Sequence, residues 1–417
     1  MNEPTRRSFL RTAGIASAAA TALARPAAGQ TTPRDPGARH AQPLAQDYVV
    51  LTRTPDKRIC TCGPGLVKLA DGDLFATVPF WPRNTRDLPT EVRTARSGDG
   101  GRTWEALRPL PYFTACPWVH DGKLYLFAHK TGTKYRNDDV LLLESDDGGE
   151  SWAEPVTLFE GHYWNCPTGI VVAGGYVYRA VDQLDVPGRG EVVIAGDLSR
   201  DLMDRKSWRI SNAVPYPGTP SSLRRGYPDY RDHWLEPNVV SVRGRLMVLS
   251  RTRIAAQTTA NVCGVCDLVD DGASLRLKFT QFYPMPGGQN KFHVIYDEQS
   301  KLFWTPATLV TDSQDQLGYC REAQRRREFT GTGGNERRIL VLLYSVDALN
   351  WFQAGVIAMA GKLRQSFMYA CPLIDGDDLL ILSRTSHNGR DQHDADLSTF
   401  HRVRDFRRLA LDLYPEV

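Results

Sequence analysis

The sequence has no long apolar run outside its first residues, little excess of charge of one sign, and no stretch with the spacing of an amphipathic helix. Beyond residue 24 no segment is apolar enough to cross a bilayer, so we expect no membrane span in the mature protein. Of the formal charge of +3, residues 1–24 supply most through three arginines and one glutamate. The rest of the chain is therefore close to neutral, which is not typical of a nucleic-acid-binding protein.

The N-terminus has the pattern of an export signal. Residues 5–11, Thr-Arg-Arg-Ser-Phe-Leu-Arg, resemble the bacterial twin-arginine consensus, and a weakly apolar run rich in alanine follows them. We predict a signal peptide over residues 1–29 and a flexible leader, rich in Pro, Gln and Thr, over residues 30–44. The mature protein, formed by residues 45–417, is then expected to be periplasmic or secreted.

Short apolar runs alternate with small polar turns along the chain. In each unit two apolar runs flank a turn such as Asp121-Gly122 or Arg243-Gly244, which is the pattern of a β-hairpin. Six such units follow one another without a helix between them. We predict an all-β fold, a six-bladed β-propeller of four-stranded antiparallel blades. The run Tyr48–Leu51 is expected to close the ring beside the last blade, since closure removes exposed sheet edges.

Two segments repeat one motif. Residues 97–104 and 145–152 both read S-x-D-x-G-x-(T/S)-W, and looser versions occur at 199–208 and 345–351. In such a turn the Asp carboxylate accepts N–H groups, Gly adopts a positive φ, and the Trp ring covers the hairpin. The motif resembles the Asp-box of the sialidase superfamily, whose members are β-propellers. This resemblance extends over residues 45–411 as a fold and implies a carbohydrate-active protein.

One position near the start of each blade's first strand has an unusual composition. Aligning the six hairpins on their turns places there Cys62, Cys116, Cys166, Glu236, His293 (or Lys291) and Cys371. Two residues earlier come the aromatic residues Trp164, Trp234 and Tyr369. The starts of innermost strands line the mouth of a propeller's central channel, where ligands bind. A carboxylate there needs a partner or a chemical role, so Glu236 is a leading candidate. Whether the cysteines are free, disulfide-bonded or metal-bound stays open.

The resemblance to sialidases implies roles for several residues. Sialidases use a Tyr nucleophile assisted by a Glu, an Asp as acid and base, and three Arg that bind the substrate carboxylate. By position in the sequence, Tyr369, Glu236 and Asp87 resemble the nucleophile, its assisting Glu and the acid/base. Arg58 and Arg251 resemble two of the three arginines.

The third arginine of that pattern is missing at its expected place. The fifth blade's first strand carries Lys291 and His293 there, and a Lys does not bind a carboxylate with a two-pronged pair of hydrogen bonds as Arg does. Sialic acid itself is therefore not the expected substrate. We keep His293 as a candidate base. The remaining substrate-binding candidates are Lys291, Trp164, Trp234 and Arg384, which ends a strand in the string Ser-Arg-Thr as Arg251 does.

Three functions remain open from the sequence. The first is an exo-acting glycoside hydrolase that cleaves a linkage to an acidic sugar. The second is a polysaccharide lyase acting on a uronate-containing glycan, with His293 or Tyr369 as base and with Lys291 and Arg251 neutralising the carboxylate. The third is a non-catalytic glycan-binding propeller. In each case the expected partner is a carbohydrate, most simply an anionic one. No cofactor or metal is expected, because a lone CxxC and the polar loop at 387–396 fit no metal signature.

Overall fold

The computed structural model describes residues 42–83, 88–131, 138–223, 232–254, 261–309, 337–362 and 364–411. The expected signal peptide, most of the leader and Asp87 lie outside these residues. Within them the chain forms six antiparallel sheets, the blades of a six-bladed β-propeller. Three short 3-10 turns are the helical elements of the described chain: Arg205–Ser207, Ser221–Leu223 and Phe406–Leu409. No helix of this part of the chain has the length and apolar character needed to span a bilayer.

The strands follow one another blade by blade. The first strand, β1, is Val49–Arg53. Blade one contains β2 (Ile59–Thr61), β3 (Gly65–Lys68), β4 (Leu74–Pro82), β5 (Glu91–Ser97) and β6 (Glu105–Ala106). Blade two contains β7 (Tyr112–His120), β8 (Lys123–Lys130), β9 (Val140–Ser145) and β10 (Val156–Phe159). Blade three contains β11 (Tyr163–Trp164), β12 (Ile170–Ala173), β13 (Tyr176–Gln183), β14 (Gly190–Asp197), β15 (Trp208–Ile210) and β16 (Val214–Pro215).

The remaining three blades have the simpler arrangement. Blade four contains β17 (His233–Val242), β18 (Arg245–Arg253), β19 (Val262–Asp270) and β20 (Leu275–Pro284). Blade five contains β21 (Ile295–Asp297), β22 (Leu302–Leu309), β23 (Ile339–Ser345) and β24 (Trp351–Met359). Blade six contains β25 (Ser366–Asp375), β26 (Asp378–Ser386) and β27 (Leu397–Val403).

Each blade is an antiparallel meander with four strand positions, and strands that follow one another in sequence pair with each other, as the hairpin pattern predicts. The first layer is split in blade one, where β2 and β3 both pair with β4, and in blade three, where β11 and β12 both pair with β13. Blade six takes its fourth strand from the other end of the chain, because β1 pairs with β27 and sets Val49 opposite Phe400. The predicted all-β fold, six-bladed and four-stranded, is confirmed, and so is the predicted closing strand.

The core lies between the blades because the middle strands are buried on both faces. All nine residues of β4 are buried. Apolar side chains of neighbouring blades share clusters: Phe127 of blade two packs edge-on against Trp208 of blade three, with ring centroids 5.5 Å apart. Burying such surface stabilises a fold by roughly 25 cal/mol per Å², so the contacts between blades hold the ring together.

The two S-x-D-x-G-x-(T/S)-W segments form matching turns at the blade edges. In the first, Asp99 accepts the Thr103 N–H at 2.9 Å, and the Gly101 N–H donates to the Ser97 hydroxyl at 2.9 Å. Gly101 has φ +88°, and a Cβ added there would lie 2.3 Å from the Phe400 ring of blade six. In the second turn, Gly149 stands against Phe75 of blade one in the same way, at 2.4 Å. Each turn therefore attaches its own blade to the preceding one.

Candidate active site

Backbone bulges present two functional side chains at one end of the channel. Glu236 lies in β17 between the paired residues Leu235 and Asn238, and Tyr369 lies in β25 between Met368 and Cys371. Glu236 has φ 51° and Tyr369 has φ 52°, in the left-handed region that a non-glycine residue avoids. Such a conformation costs about 1–3 kcal/mol, and it tends to persist where a site needs it.

The pairing of β17 and β25 with their neighbouring strands differs from the strand positions predicted from the sequence. Counting back from the turn residues Val242 and Asp375, it is Asn238 that lies level with Cys371, and Glu236 lies level with Tyr369. The prediction that Glu236 and Cys371 are equivalent is therefore wrong. It treated Pro237 and Pro372 as equivalent, but Pro237 lies inside the bulge of β17 whereas Pro372 follows the bulge of β25, so the two prolines differ by two positions.

Arg251 joins the two bulge residues. Its Nη1 donates to Glu236 Oε2 at 2.8 Å and to Tyr369 Oη at 2.9 Å, while its Nε donates to the Gln289 carbonyl at 2.7 Å. All three side chains are buried, with Arg251 at 4%, Glu236 at 1% and Tyr369 at 5% exposure. Burial and the nearby Glu236 carboxylate raise the pKa of Tyr369 above its ordinary value. The phenol is thus protonated at neutral pH, and a base is needed to activate it.

A pocket of about 310 Å³ opens onto this trio. Its charge is strongly one-sided: three carboxylates line it, Glu236, Asp391 and Asp394, against seven arginines, Arg83, Arg189, Arg251, Arg253, Arg337, Arg384 and Arg390. Guanidinium groups bind carboxylates and phosphates through paired hydrogen bonds. Arginines outnumber carboxylates in the lining of the pocket.

Three of these arginines are buried around the Tyr369 ring. Arg337 and Arg384 are 3% and 0% exposed, and the Arg384 guanidinium carbon lies 5.1 Å from the ring centroid. Burial, together with the charges of Arg251 and Arg384, lowers the pKa of Arg337 to about 10. Within the described residues the Nε of Arg384 has no hydrogen-bond partner, although it is shielded from solvent. An anionic ligand would offset this accumulated positive charge.

An aromatic wall forms one side of the pocket. Trp81 stacks on Phe113 with ring centroids 4.4 Å apart and an interplanar angle of 13°, and Trp164 packs against both rings. The Trp81 Nε1 donates to the Phe113 carbonyl at 2.8 Å, which fixes the orientation of the indole. Trp81 and Trp164 line the pocket. Flat apolar faces of this kind pack well against the C–H faces of sugar rings.

A histidine–aspartate pair stands in the loop after β26. The Nδ1 of His393 lies 2.8 Å from Asp394 Oδ1, and the other oxygen of Asp394 accepts from Arg83 Nε at 3.0 Å. Arg384 donates to the backbone carbonyl of His393. Burial and the Arg384 charge lower the pKa of His393 to about 3, so its imidazole is neutral at neutral pH. Since Nδ1–H is directed to Asp394, Nε2 is left as the basic atom.

A second layer supports Glu236. The Asp182 carboxylate accepts the Glu236 N–H at 3.3 Å and pairs with Arg189 at 3.3 Å. Asp182 is completely buried, and this burial raises its pKa to about 7. The Asp182 carboxylate thus binds the backbone of Glu236, the residue with positive φ, and its other partner, Arg189, lines the pocket.

The structure brings five of the predicted site residues into this one pocket, namely Glu236, Arg251, Tyr369, Arg384 and Trp164. Others lie elsewhere. Arg58 is more than half exposed and pairs with Asp56 at 2.6 Å, away from the pocket. Trp234 is fully buried inside blade four, where its ring packs against Tyr216 and Phe279, so no face is left for a ligand.

The two basic residues of blade five also lie outside the pocket. Lys291 is inside the channel, where its Nζ donates to the Ala370 carbonyl at 3.0 Å and burial lowers its pKa. His293 lines a separate cavity of about 890 Å³, whose wall includes Val239 and Val294. Asp87 lies outside the described residues.

The sequence analysis missed Arg337 as a site residue. The third arginine was sought on the first strand of blade five, whereas Arg337 precedes the third strand of that blade, β23. Arg337 stands two residues before β23, and an arginine directly before a buried strand was the available signal. His393 and Asp394 were noticed as a polar loop, but only the fold brings that loop over Tyr369 and Arg384.

No protein-family model matches the chain, and no curated protein matches it. Solved structures do resemble it. One is an α-L-arabinanase of Penicillium chrysogenum complexed with arabinobiose, which is 14% identical to this chain and superposes with a TM-score of 0.55. The match includes 88% of this chain and 100% of the arabinanase chain. Another is a Trypanosoma rangeli sialidase mutant displaying trans-sialidase activity, which is 14% identical and superposes with a TM-score of 0.58. The match includes 89% of this chain and 60% of the sialidase chain.

A third example is the GH93 α-L-arabinofuranosidase of Fusarium graminearum in complex with arabinobiose. It is 12% identical, with 87% of this chain covering 98% of it at a TM-score of 0.51. At such low identities the likeness shows the fold alone. The chain therefore has a six-bladed propeller fold that is also found in arabinan-degrading enzymes and sialidases.

Proposed function

We propose that the protein is a glycoside hydrolase that removes an acidic sugar from the end of a glycan. The observation that carries the proposal is the contact of Tyr369, Arg251 and Glu236 inside a pocket lined by seven arginines. At about 310 Å³ the pocket is at the small end of the range for ligand sites. This size suits a terminal sugar rather than the middle of a chain.

The reaction follows from the charges. Arginines that hold a carboxylate place negative charge beside the anomeric carbon, and a neutral Tyr369 meets less repulsion there than a carboxylate nucleophile would. As Tyr369 Oη attacks that carbon, Glu236 takes the phenolic proton and the glycosidic oxygen leaves with a proton from an acid. Water then attacks the same carbon and releases Tyr369, with overall retention. Asp87 remains our candidate for the acid.

A second candidate, a lyase acting on uronate-containing glycan, is favoured by one observation. His393 Nδ1 lies 2.8 Å from Asp394 Oδ1, and both residues stand in the arginine-lined pocket. In this reaction the arginines neutralise the uronate carboxylate, His393 Nε2 removes the C5 proton, and Tyr369 gives a proton to the departing oxygen. His393 thus takes the role that the sequence analysis gave to His293.

The decisive experiment presents the mature protein with sialosides, uronate oligosaccharides and neutral arabino-oligosaccharides. New reducing ends from an acidic substrate, without the ultraviolet absorbance of an unsaturated uronate, are the expected result. Reducing ends with that absorbance would favour the lyase. Cleavage of the neutral oligosaccharides alone would contradict an acidic substrate, and binding without cleavage would favour a glycan-binding propeller.

A matched pair of variants tests the nucleophile. Tyr369→Phe should abolish turnover while leaving substrate binding, because only the attacking oxygen is removed. Tyr283→Phe removes the hydroxyl of a tyrosine bonded to Asn350 at 2.8 Å outside the pocket, and should leave activity unchanged. Full activity in Tyr369→Phe would refute the role.

We also propose export by the twin-arginine route. The support is the Arg6-Arg7 pair and the alanine-rich run after it. Replacing both arginines by lysine should retain the full-length precursor in the cytoplasm of a host with this pathway. Efficient export of that variant would contradict the proposal.

A further inference from the structure

Two thiols meet beneath the candidate nucleophile. Cys62 follows strand β2 of blade one and Cys166 follows β11 of blade three, so 104 residues separate them in sequence. Their Sγ atoms lie 3.9 Å apart in a sulfur–sulfur hydrogen bond, and the residues are 1% and 0% exposed. All seven cysteines of the described chain are free thiols. A disulfide bond needs a separation of about 2.05 Å, so the two sulfurs must approach each other by about 2 Å to form one.

The pair belongs to the floor of the pocket. Cys62 is a lining residue, and Arg384 Nη1 donates to its Sγ at 3.8 Å. A Cβ placed on Gly63 would lie 2.9 Å from Cys166 Sγ and 3.1 Å from Cδ1 of Tyr369. The second sulfur and the Tyr369 ring therefore both pack against Gly63, while the first sulfur contacts Arg384.

The two thiols differ in reactivity. Burial opposes ionisation of Cys62, but the hydrogen bond from Cys166 and the Arg384 charge outweigh it and lower the pKa of Cys62. Burial and the neighbouring Cys62 raise the pKa of Cys166. Cys62 is thus the more acidic thiol of the pair, and the thiolate form is the species that reacts with peroxides.

We propose that Cys62 and Cys166 are a peroxide-sensitive modification site that forms a reversible disulfide under the pocket. The Cys62 thiolate attacks one oxygen of hydrogen peroxide; the O–O bond breaks, Cys62 becomes a sulfenic acid, and the released hydroxide takes a proton to become water. Cys166 then attacks the Cys62 sulfur; the S–O bond breaks, the S–S bond forms, and a second water leaves. Two thiols are oxidised by one peroxide, and a dithiol reductant reverses the change.

Disulfide formation has a defined consequence for the site. The Cys62 sulfur, which accepts from Arg384 Nη1 at 3.8 Å, is drawn towards Cys166, so this contact of Arg384 is altered. We expect oxidation to weaken catalysis at least tenfold. This second statement rests on the proposed function, whereas formation of the bond does not.

The test maps the bond directly. The mature protein is treated with hydrogen peroxide while folded, unfolded in iodoacetamide, and digested. The expected result is one linked peptide pair containing residues 62 and 166, 2 Da lighter than the two thiol peptides together, that disappears after reduction with dithiothreitol. Cys62→Ser should abolish the linkage. Absence of the linked pair, or linkage of other cysteines instead, would overturn the proposal.

Cys263 and Cys266 offer a matched control. They are also buried free thiols, but three positions apart on β19 they face opposite sides of the strand and belong to different clusters. The double variant Cys263→Ser/Cys266→Ser should still form the 62–166 bond. If the bond forms while activity is unchanged, the catalytic consequence fails. If no glycan is cleaved even by the reduced protein, the proposed function fails while the mapped bond stands.

Discussion

The buried contact between Arg251 and Glu236 allows a quantitative test. We replace Glu236 by Gln and Arg251 by Met, singly and together, since both substitutes approximate the original shapes. The side chains are 1% and 5% exposed and 2.8 Å apart. Removing one partner of a buried pair leaves a charge without compensation and typically costs about 3–5 kcal/mol. We expect each single substitution to lower the unfolding free energy by about 2–4 kcal/mol. Glu236→Gln should lie at the lower end, because the Gln amide oxygen still accepts a hydrogen bond from Arg251.

The double variant is the informative one. Because neither charge is then left alone, its loss of unfolding free energy should be smaller than the sum of the two single losses by about 2 kcal/mol. The free energies come from urea unfolding followed by tryptophan fluorescence. Lys301 and Glu298 give a control pair that is 69% and 80% exposed, for which the coupling should be below about 1 kcal/mol. Additive losses for the buried pair would refute this account of the site.

Three further predictions address the ring, the second layer and the arginine pocket. Gly101→Ala, which drives a Cβ against Phe400, should lower the unfolding free energy by about 2–4 kcal/mol in urea, while Gly122→Ala at φ +76° with open space should cost only about 1–2. Burial raises the pKa of Asp182 from 3.8 to about 7, so the folded state binds that proton more tightly than the unfolded chain does. The resulting stability is complete below about pH 4 and is lost progressively as the pH rises to about 7, so Asp182→Asn should flatten the fall in melting temperature between about pH 4 and pH 7; an unchanged pH profile would contradict this. Arg337→Ala should raise KM for an acidic substrate about 10–100-fold, and Arg337→Lys should raise it less, as expected if Arg337 donates a charged hydrogen bond to the substrate. KM values equal to that of the unsubstituted protein in steady-state assays would exclude this hydrogen bond.

Much of the fold followed from local pattern. Hairpin turns such as Asp121-Gly122 recur at blade intervals, and turn chemistry acts within a few residues, so the six blades and the closing strand could be predicted. The site was harder because it depends on departures from pattern. Glu236 and Tyr369 were selected by residue type, but the bulges that place them in the left-handed region leave no signal in apolar alternation.

Long-range placement explains the other differences. Arg337 and His393 reach the pocket only because blades five and six meet there, and no single segment contains that information. The sequence analysis gave Trp234 the same strand position as Trp164, yet Trp234 is buried under Gly264, whose missing side chain makes room for the indole. Periodicity assigns a residue to a strand, whereas neighbouring blades decide whether its side chain is accessible.

The pairing of β1 with β27 has a consequence for how the protein is made. The blade that carries Tyr369 lacks its fourth strand until residues near 50 meet residues near 400, which is among the most distant contacts in the chain. Contacts of such separation form slowly, since a long loop must close first. In a nascent or truncated chain that ends before β27, strand β1 would have no strand to pair with, and blade six would lack its two outer strands. Ring closure and completion of the blade that carries Tyr369 thus coincide in one step.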